Sequence, residues 1–335
     1  MRSEKVFHIS SLVLCWFLTS AQSTTAVIQT TAGPLDAQTV GLILPHEHIF
    51  TDLRGPQAPG YGQADPEKVL QVMKPLLMAA KAKGVDLLVE CSSVGVGRNV
   101  RVLARLAKET GLSIVIPTGV YARANFAPQT YRDMSEQQLT EWMVKEIRQG
   151  IEGTGVRAGF IKLASSRTQL TELEERLLRA AAHAALDTGV VIASHTTSGP
   201  VALKEVDILE EEGLPPGRFI WVHSQAEKRR SFHKQLAAQG VYIELDSIGR
   251  ENPGDEGLIE VIHEIIDAGY VHQLLLSHDA GWYDPAKPDG GQQRPYTYLV
   301  DTFIPKLRDS GLDEGTIRIL TVENPRRAFS HMHSK

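Results

Sequence analysis

Eight short apolar runs recur along the chain, at 41–44, 85–90, 113–118, 160–164, 190–194, 219–222, 241–245 and 273–277. None alternates cleanly between apolar and polar positions, which is the pattern of parallel strands covered on both faces. Between and after them lie stretches of helical periodicity, at 66–83, 98–110, 135–150, 171–188, 202–212, 227–239, 256–268 and 297–310. Asp65-Pro66 and Ser135 read as helix starts, and Gly84, Gly111, Gly150, Gly189 and Gly240 as helix stops. Eight strands, each followed by a helix, predict an α/β fold: a single (β/α)8 TIM barrel. A short lead ends near Leu35, and the Pro- and Gly-rich segment 282–295 reads as a long surface loop on the catalytic face.

The residues at the ends of these runs carry the chemistry. His46 and His48 sit in Gly41-Leu-Ile-Leu-Pro-His-Glu-His, Lys162 in Gly159-Phe-Ile-Lys, and His195 closes Val191-Ile-Ala-Ser-His. His223 closes Phe219-Ile-Trp-Val-His, and Asp279 closes Leu274-Leu-Leu-Ser-His-Asp. A barrel builds its site from the C-terminal ends of several different strands, so these residues are predicted to meet. His46 and His48 leave one face of a strand. They advance ~6.6 Å, a gap that two zinc–nitrogen bonds of ~2.0–2.1 Å span. Glu47 points the other way. A lone His-x-His is equally a pair of ordinary histidines, and a lone strand-end lysine is more often paired with an acid. The concurrence of six such residues makes a pair of divalent metal ions the stronger reading. A protonated Lys162 would repel a dication, whereas its carbamate is anionic and has two oxygens to bridge two ions. Nitrogen and oxygen donors without thiolate suit Zn2+, Mn2+, Co2+ or Ni2+.

Such ions supply a nucleophile at neutral pH, zinc lowering the pKa of bound water from 15.7 to ~7, and they polarise a C=O or P=O oxygen. Asp279 offers an acceptor for the proton released. The chemistry predicted is hydrolysis of a carboxylic or phosphate ester. The chain has no Gly-x-Ser-x-Gly elbow, no Gly-rich loop ending in Gly-Lys-Ser/Thr and no His-Glu-x-x-His.

At 335 residues, with 42% hydrophobic and 22% charged residues, the chain suits one barrel of ~250 residues with modest extras. A net charge of -5 without a basic patch argues against a nucleic-acid partner. Arg2 and Lys5, an apolar stretch at 9–18 and small residues through Ser23 have the layout of a secretory signal over 1–23. The mature domain is then 24–335, periplasmic or secreted. The apolar stretch falls short of the ~20 residues that span a bilayer, so the mature chain is expected to have no integral span. Leu14 argues against lipid attachment at Cys15. Once the signal is removed, Cys91 is the only cysteine, and stability rests on the core.

Together, Gly41 to Ile49, Gly159 to Lys162, Ser277-His-Asp279 and Glu323-Asn-Pro325 resemble the phosphotriesterase family of the amidohydrolase superfamily, the likeness running from about Gly33 to Phe329. The resemblance implies a distorted barrel holding two divalent ions, usually zinc. His46, His48 and Asp279 would hold one, His195 and His223 the other, and carboxylated Lys162 would bridge them. The family contains organophosphate triesterases and lactonases, so a small neutral ester is the expected substrate, and a homodimer the assembly the resemblance implies. Tyr121 matches the tyrosine that its lactonases carry after the third strand. Where they carry Leu-Asp-Arg after the seventh strand, this chain has Leu245-Asp246-Ser247, with Arg250 three residues on. Where many members have an acid three residues past the last metal histidine, this chain has Ala226, followed by Glu227. Trp282 and Tyr283 would wall the pocket for a leaving group or acyl chain. Two alternatives are an amide or cyclic-amide hydrolase of the same superfamily and a non-catalytic metal-binding barrel.

Overall fold

The computed structural model describes residues 25–123 and 125–332, so the signal predicted at 1–23 lies outside the described residues. Eight strands run β1 Leu42–Phe50, β2 Val85–Glu90, β3 Ser113–Val115 continued by Pro117–Thr118, β4 Phe160–Ala164, β5 Ile192–His195, β6 Phe219–Val222, β7 Tyr242–Leu245 and β8 Leu274–Leu276. Each pairs in parallel with the next. Past β8 the Asp279 amide donates to the His46 carbonyl at 3.2 Å, returning the last strand to the first. The result is an α/β barrel of the (β/α)8 type.

Parity along the strands decides what faces inward. Phe160 and Lys162 share one face of β4, and Ala193 and His195 share one face of β5. Tyr242 and Glu244 share one face of β7. The lower positions pack with Leu87, Val115, Ile220 and Leu275 in a buried apolar plug closed by Phe329, whose ring meets Phe160 edge-on at 5.4 Å. Polar side chains therefore appear only in the layers above the plug, and Lys162 is held among them at 2% exposure. The outer helices are capped as their sequences suggest. Asp65 accepts from the Glu67 amide, and Ser135 and Thr171 each close a reciprocal box with the residue three positions on.

Several elements differ from the sequence expectation. β1 continues six residues past the apolar run, through the His-Glu-His segment to Phe50. Strand β3 breaks at Ile116, before Pro117, which has no amide to donate. The lead before residue 35 is an antiparallel hairpin, Ala26–Thr30 with Gly33–Asp36. The segment after β8 is not all surface loop. Gly281–Tyr283 adds a parallel strand to β1, and Tyr296 is fully buried with its hydroxyl donating to the His48 carbonyl at 2.8 Å. Gly281 has φ of 90°, and a Cβ there would strike the His48 carbonyl. Among the described residues no helix is long and apolar enough to cross a membrane.

Glu47, turned away from the cavity, ties β1 to the exit of β8. Its carboxylate accepts from Ser277 Oγ at 2.8 Å, the Ala280 amide at 2.7 Å and the His278 amide at 3.1 Å, and it lies 2.6 Å from His278 Nδ1. All are buried. Truncation would strand several donors, at about 1–3 kcal/mol each. Glu47→Ala is expected to lower unfolding stability by roughly 3–5 kcal/mol in a denaturant titration. A loss under about 1 kcal/mol would show the clamp to be redundant.

Candidate metal centre

His46, His48, Lys162 and His195, which lie in strands, converge with His223, just past β6, and Asp279, three residues past β8, on one cavity of about 200 Å³. His46 and His48 lie within β1 rather than at its end, with ring centroids 5.5 Å apart. His195 is the last residue of β5, and its ring stands 4.3 Å from that of His223. His46 and His223 are 5.0 Å apart. Asp279 Oδ1 lies 3.2 Å from His48 Nε2 and 3.8 Å from His46 Nε2.

Two of these residues hold left-handed backbone, His223 at φ 59° and Asp279 at φ 51°. Such a conformation costs a non-glycine residue about 1–2 kcal/mol and persists only where neighbours impose it. For His223 the constraint is its amide donating to Asp246 Oδ2 at 2.9 Å; for Asp279 it is the bond to the His46 carbonyl. Gly119 has a different task. At φ 99° it lets the exit of β3 lie directly on the Lys162 backbone, where any Cβ would collide.

Behind the histidines stands a ring of orienting groups. Glu244 Oε2 is 2.9 Å from His46 Nδ1, Asp246 Oδ1 is 2.7 Å from His223 Nδ1, and Ser92 Oγ is 2.8 Å from His48 Nδ1. Each contact uses the ring nitrogen away from the cavity and so fixes how the imidazole presents the other one. Burial, reinforced by the charge of Asp246, pushes the Glu244 carboxyl well above the ordinary range. For Asp246 burial acts in the same direction, but the charge of His223 and the bonds from His223 and Gln225 outweigh it and hold the carboxyl low. Burial holds His46 and His195 well below the usual imidazole value, with Lys162 and His223 adding to the effect. Both rings are therefore neutral at pH 7, with lone pairs free to bind a cation.

The donors fit a metal. Among the described residues His46 Nε2, Lys162 Nζ and Asp279 Oδ1 are buried and have no hydrogen-bond partner. An unsatisfied buried polar atom costs about 1–3 kcal/mol, and three residues lining one cavity make an assembly that a bound ion would satisfy. Two overlapping sets, His46/His48/Asp279 and His46/His223/Asp246, hold their ligand atoms within 4.8 Å of one another.

The residues expected to meet substrate are placed differently. Tyr121 and Trp282 line the cavity. The Tyr121 hydroxyl is 3.4 Å from His195 Nδ1; the Trp282 ring lies 4.3 Å from His48, its indole donating to the Asp279 carbonyl at 2.9 Å. Arg250 stands behind Asp279, its Nη2 donating to Oδ2 at 2.7 Å and to the carbonyl at 2.6 Å. Glu227 turns away to Arg229 and the Gly199 amide, the Arg229 bond holding its carboxyl down at about 2. Sequence reasoning missed Arg123, Glu244 and the orienting role of Asp246. The two-residue step from Tyr242 to Glu244 to Asp246, on one inward face, was the available signal for the acids.

A (β/α)8 barrel with this cluster at its strand ends defines a metal-dependent hydrolase acting on ester bonds. The family model for the phosphotriesterase family matches residues 26–329. The phosphotriesterase homology protein of Escherichia coli is 32% identical over 292 residues, covering 86% of this chain and 98% of that protein. The aryldialkylphosphatase of Saccharolobus solfataricus is 29% identical over 308 residues, covering 88% and 97%. The solved structure of the organophosphorus hydrolase from Deinococcus radiodurans superposes with a TM-score of 0.81 at 31% identity, covering 92% of this chain and 98% of that one. The chain belongs to the phosphotriesterase family.

Proposed function

We propose that this protein is a binuclear, zinc-dependent hydrolase of small esters: lactones, aryl esters or phosphate triesters. The observation that carries the reading is the convergence of four histidines, Lys162 and Asp279 on one cavity, three of them with buried atoms that lack partners. His46, His48 and Asp279 would hold one ion, His195 and His223 the other, with Lys162 as its N6-carboxylate between them. When bound, the ions supply an activated water and Lewis-acid polarisation of the ester oxygen.

The remaining work belongs to the chain. Trp282 and Tyr121, with Leu53, Val96 and Phe126, form apolar walls that keep bulk water from the bound ester. Asp279 Oδ1, free of any hydrogen-bond partner among the described residues, is placed to accept the proton released in attack. Arg250 grips Oδ2 and keeps that acceptor aimed inward. An onward relay through an acid after β6 is absent, since Ala226 fills that position and Glu227 faces Arg229. The proton would therefore leave to solvent from Asp279. The layout of residues 1–23 supports export, so that the working protein is periplasmic or secreted.

The test is metal analysis of purified protein followed by hydrolysis of matched panels of lactones, aryl esters, phosphotriesters and amides. About two equivalents of transition metal and ester hydrolysis abolished by chelation are expected. Metal-free protein indifferent to chelators, or cleavage confined to amides, would overturn the reading.

A further inference from the structure

Arg123 is an arginine with no counterion among the described residues. The other arginines around this mouth are matched: Arg250 with Asp279, Arg229 with Glu227, Arg54 with Asp52, and Arg294 with the carbonyls of Ile248, His278 and Asp279. Among the described residues Arg123 makes no ion pair. Its guanidinium is half-buried beside the cavity, with Nη1 2.7 Å from His195 Nε2 and a side-chain bond to the Tyr121 hydroxyl. Both contacts are to uncharged groups. A guanidinium has five N–H donors and no acceptor, and its geometry suits an oxyanion held by two parallel bonds.

We propose that Arg123 binds an anionic group carried by the substrate, so that the ester cleaved here bears a carboxylate or similar oxyanion a few bonds from the scissile carbonyl. This inference rests on the ester-hydrolase reading and narrows it. Arg123 stands against His195, one of the six converging side chains, so an anion on it lies within a short spacer of the reacting atoms. The walls offer a charged appendage nothing else. Leu53, Val96, Phe126 and Trp282 present apolar faces, and Arg250 is already engaged. Arg123 is thus a specificity-determining residue: an arginine beside the cavity that, among the described residues, pairs with no acid.

The full-length, zinc-loaded protein tests this with 4-nitrophenyl hydrogen succinate and its methyl ester, which differ in one charge. Wild type is expected to prefer the carboxylate by about tenfold to 10²-fold in kcat/KM, the range that charge-assisted hydrogen bonds supply. In Arg123→Ala the ratio of the two should fall to about one, and Arg123→Lys, which keeps charge but not the fork, should retain part of the preference. Succinate binding measured by calorimetry should weaken at least tenfold in Arg123→Ala. A wild-type ratio near one or below it, or a ratio unchanged in Arg123→Ala, overturns the inference while leaving ester hydrolysis standing. If neither ester is cleaved, the ester reading is decided by the wider panel of lactones, aryl esters and phosphotriesters. The calorimetric titration then decides alone, with equal succinate affinity in wild type and Arg123→Ala counting against the anion site.

Discussion

Lys162→Ala is expected to lose bound metal and ester hydrolysis together, and to regain part of both when a short carboxylic acid such as propanoate is added. The argument starts from burial. Lys162 sits in the polar layer directly above the apolar plug at 2% exposure, and among the described residues its Nζ has no partner. An ammonium left there has lost its hydration without gaining an acceptor, a costly state for a cation. Addition of carbon dioxide to the neutral amine, with loss of a proton, would give a carbamate, reverse the sign of the charge and put two oxygens among the neutral imidazoles of His46 and His195. Two divalent ions would then be the counterions the site lacks. Removing such a bridge should cost more than the roughly 10–100-fold that follows removal of an outer orienting partner. Added propanoate can occupy the same space with the same charge. Metal content by mass spectrometry and kcat/KM should fall and recover in parallel. Two retained equivalents and undiminished turnover in the alanine variant would refute the bridging role.

The barrel was legible because each strand is a compact apolar run and each helix ends at a glycine or begins at a capping residue. Boundaries moved where tertiary contacts overrode the local pattern. His46, Glu47 and His48 look like the polar end of a strand, yet β1 runs through them because the segment Gly281–Tyr283 supplies a second partner ladder. That ladder could not be read from Trp282 to Pro295, whose prolines and glycines signal only a loop. The residues that meet in the cavity were legible for a simpler reason. Histidine, lysine and aspartate stand out at the end of Val-Ile-Leu runs, where nothing else explains them. Arg123, Glu244 and the role of Asp246 were hidden because their meaning is relational. Glu244 is one acid among many until the barrel places its carboxylate 2.9 Å from His46. Arg123 is an ordinary loop arginine until the fold shows that, among the described residues, it pairs with no acid and reaches His195 instead.

Asp279→Asn is expected to lower kcat by about 10²–10⁴-fold, the usual worth of a positioned proton acceptor. The substitution keeps volume and can keep Arg250 as a neighbour, but the amide lacks the charge that would bind a cation and cannot take up a proton at neutral pH. Its two oxygens are not equivalent in the structure. Oδ2 is held by Arg250 at 2.7 Å, whereas Oδ1 has no hydrogen-bond partner among the described residues and lies 3.2 Å from His48 Nε2. The free oxygen is therefore the one that can meet both an ion and a proton in flight. Arg250→Ala separates the two duties. Losing the grip on Oδ2 should loosen the aim of Oδ1 and lower kcat by a smaller factor, about tenfold, with metal content retained. Should Asp279→Asn keep within about threefold of wild-type kcat, far short of what a proton acceptor is worth, the proton must leave by another group.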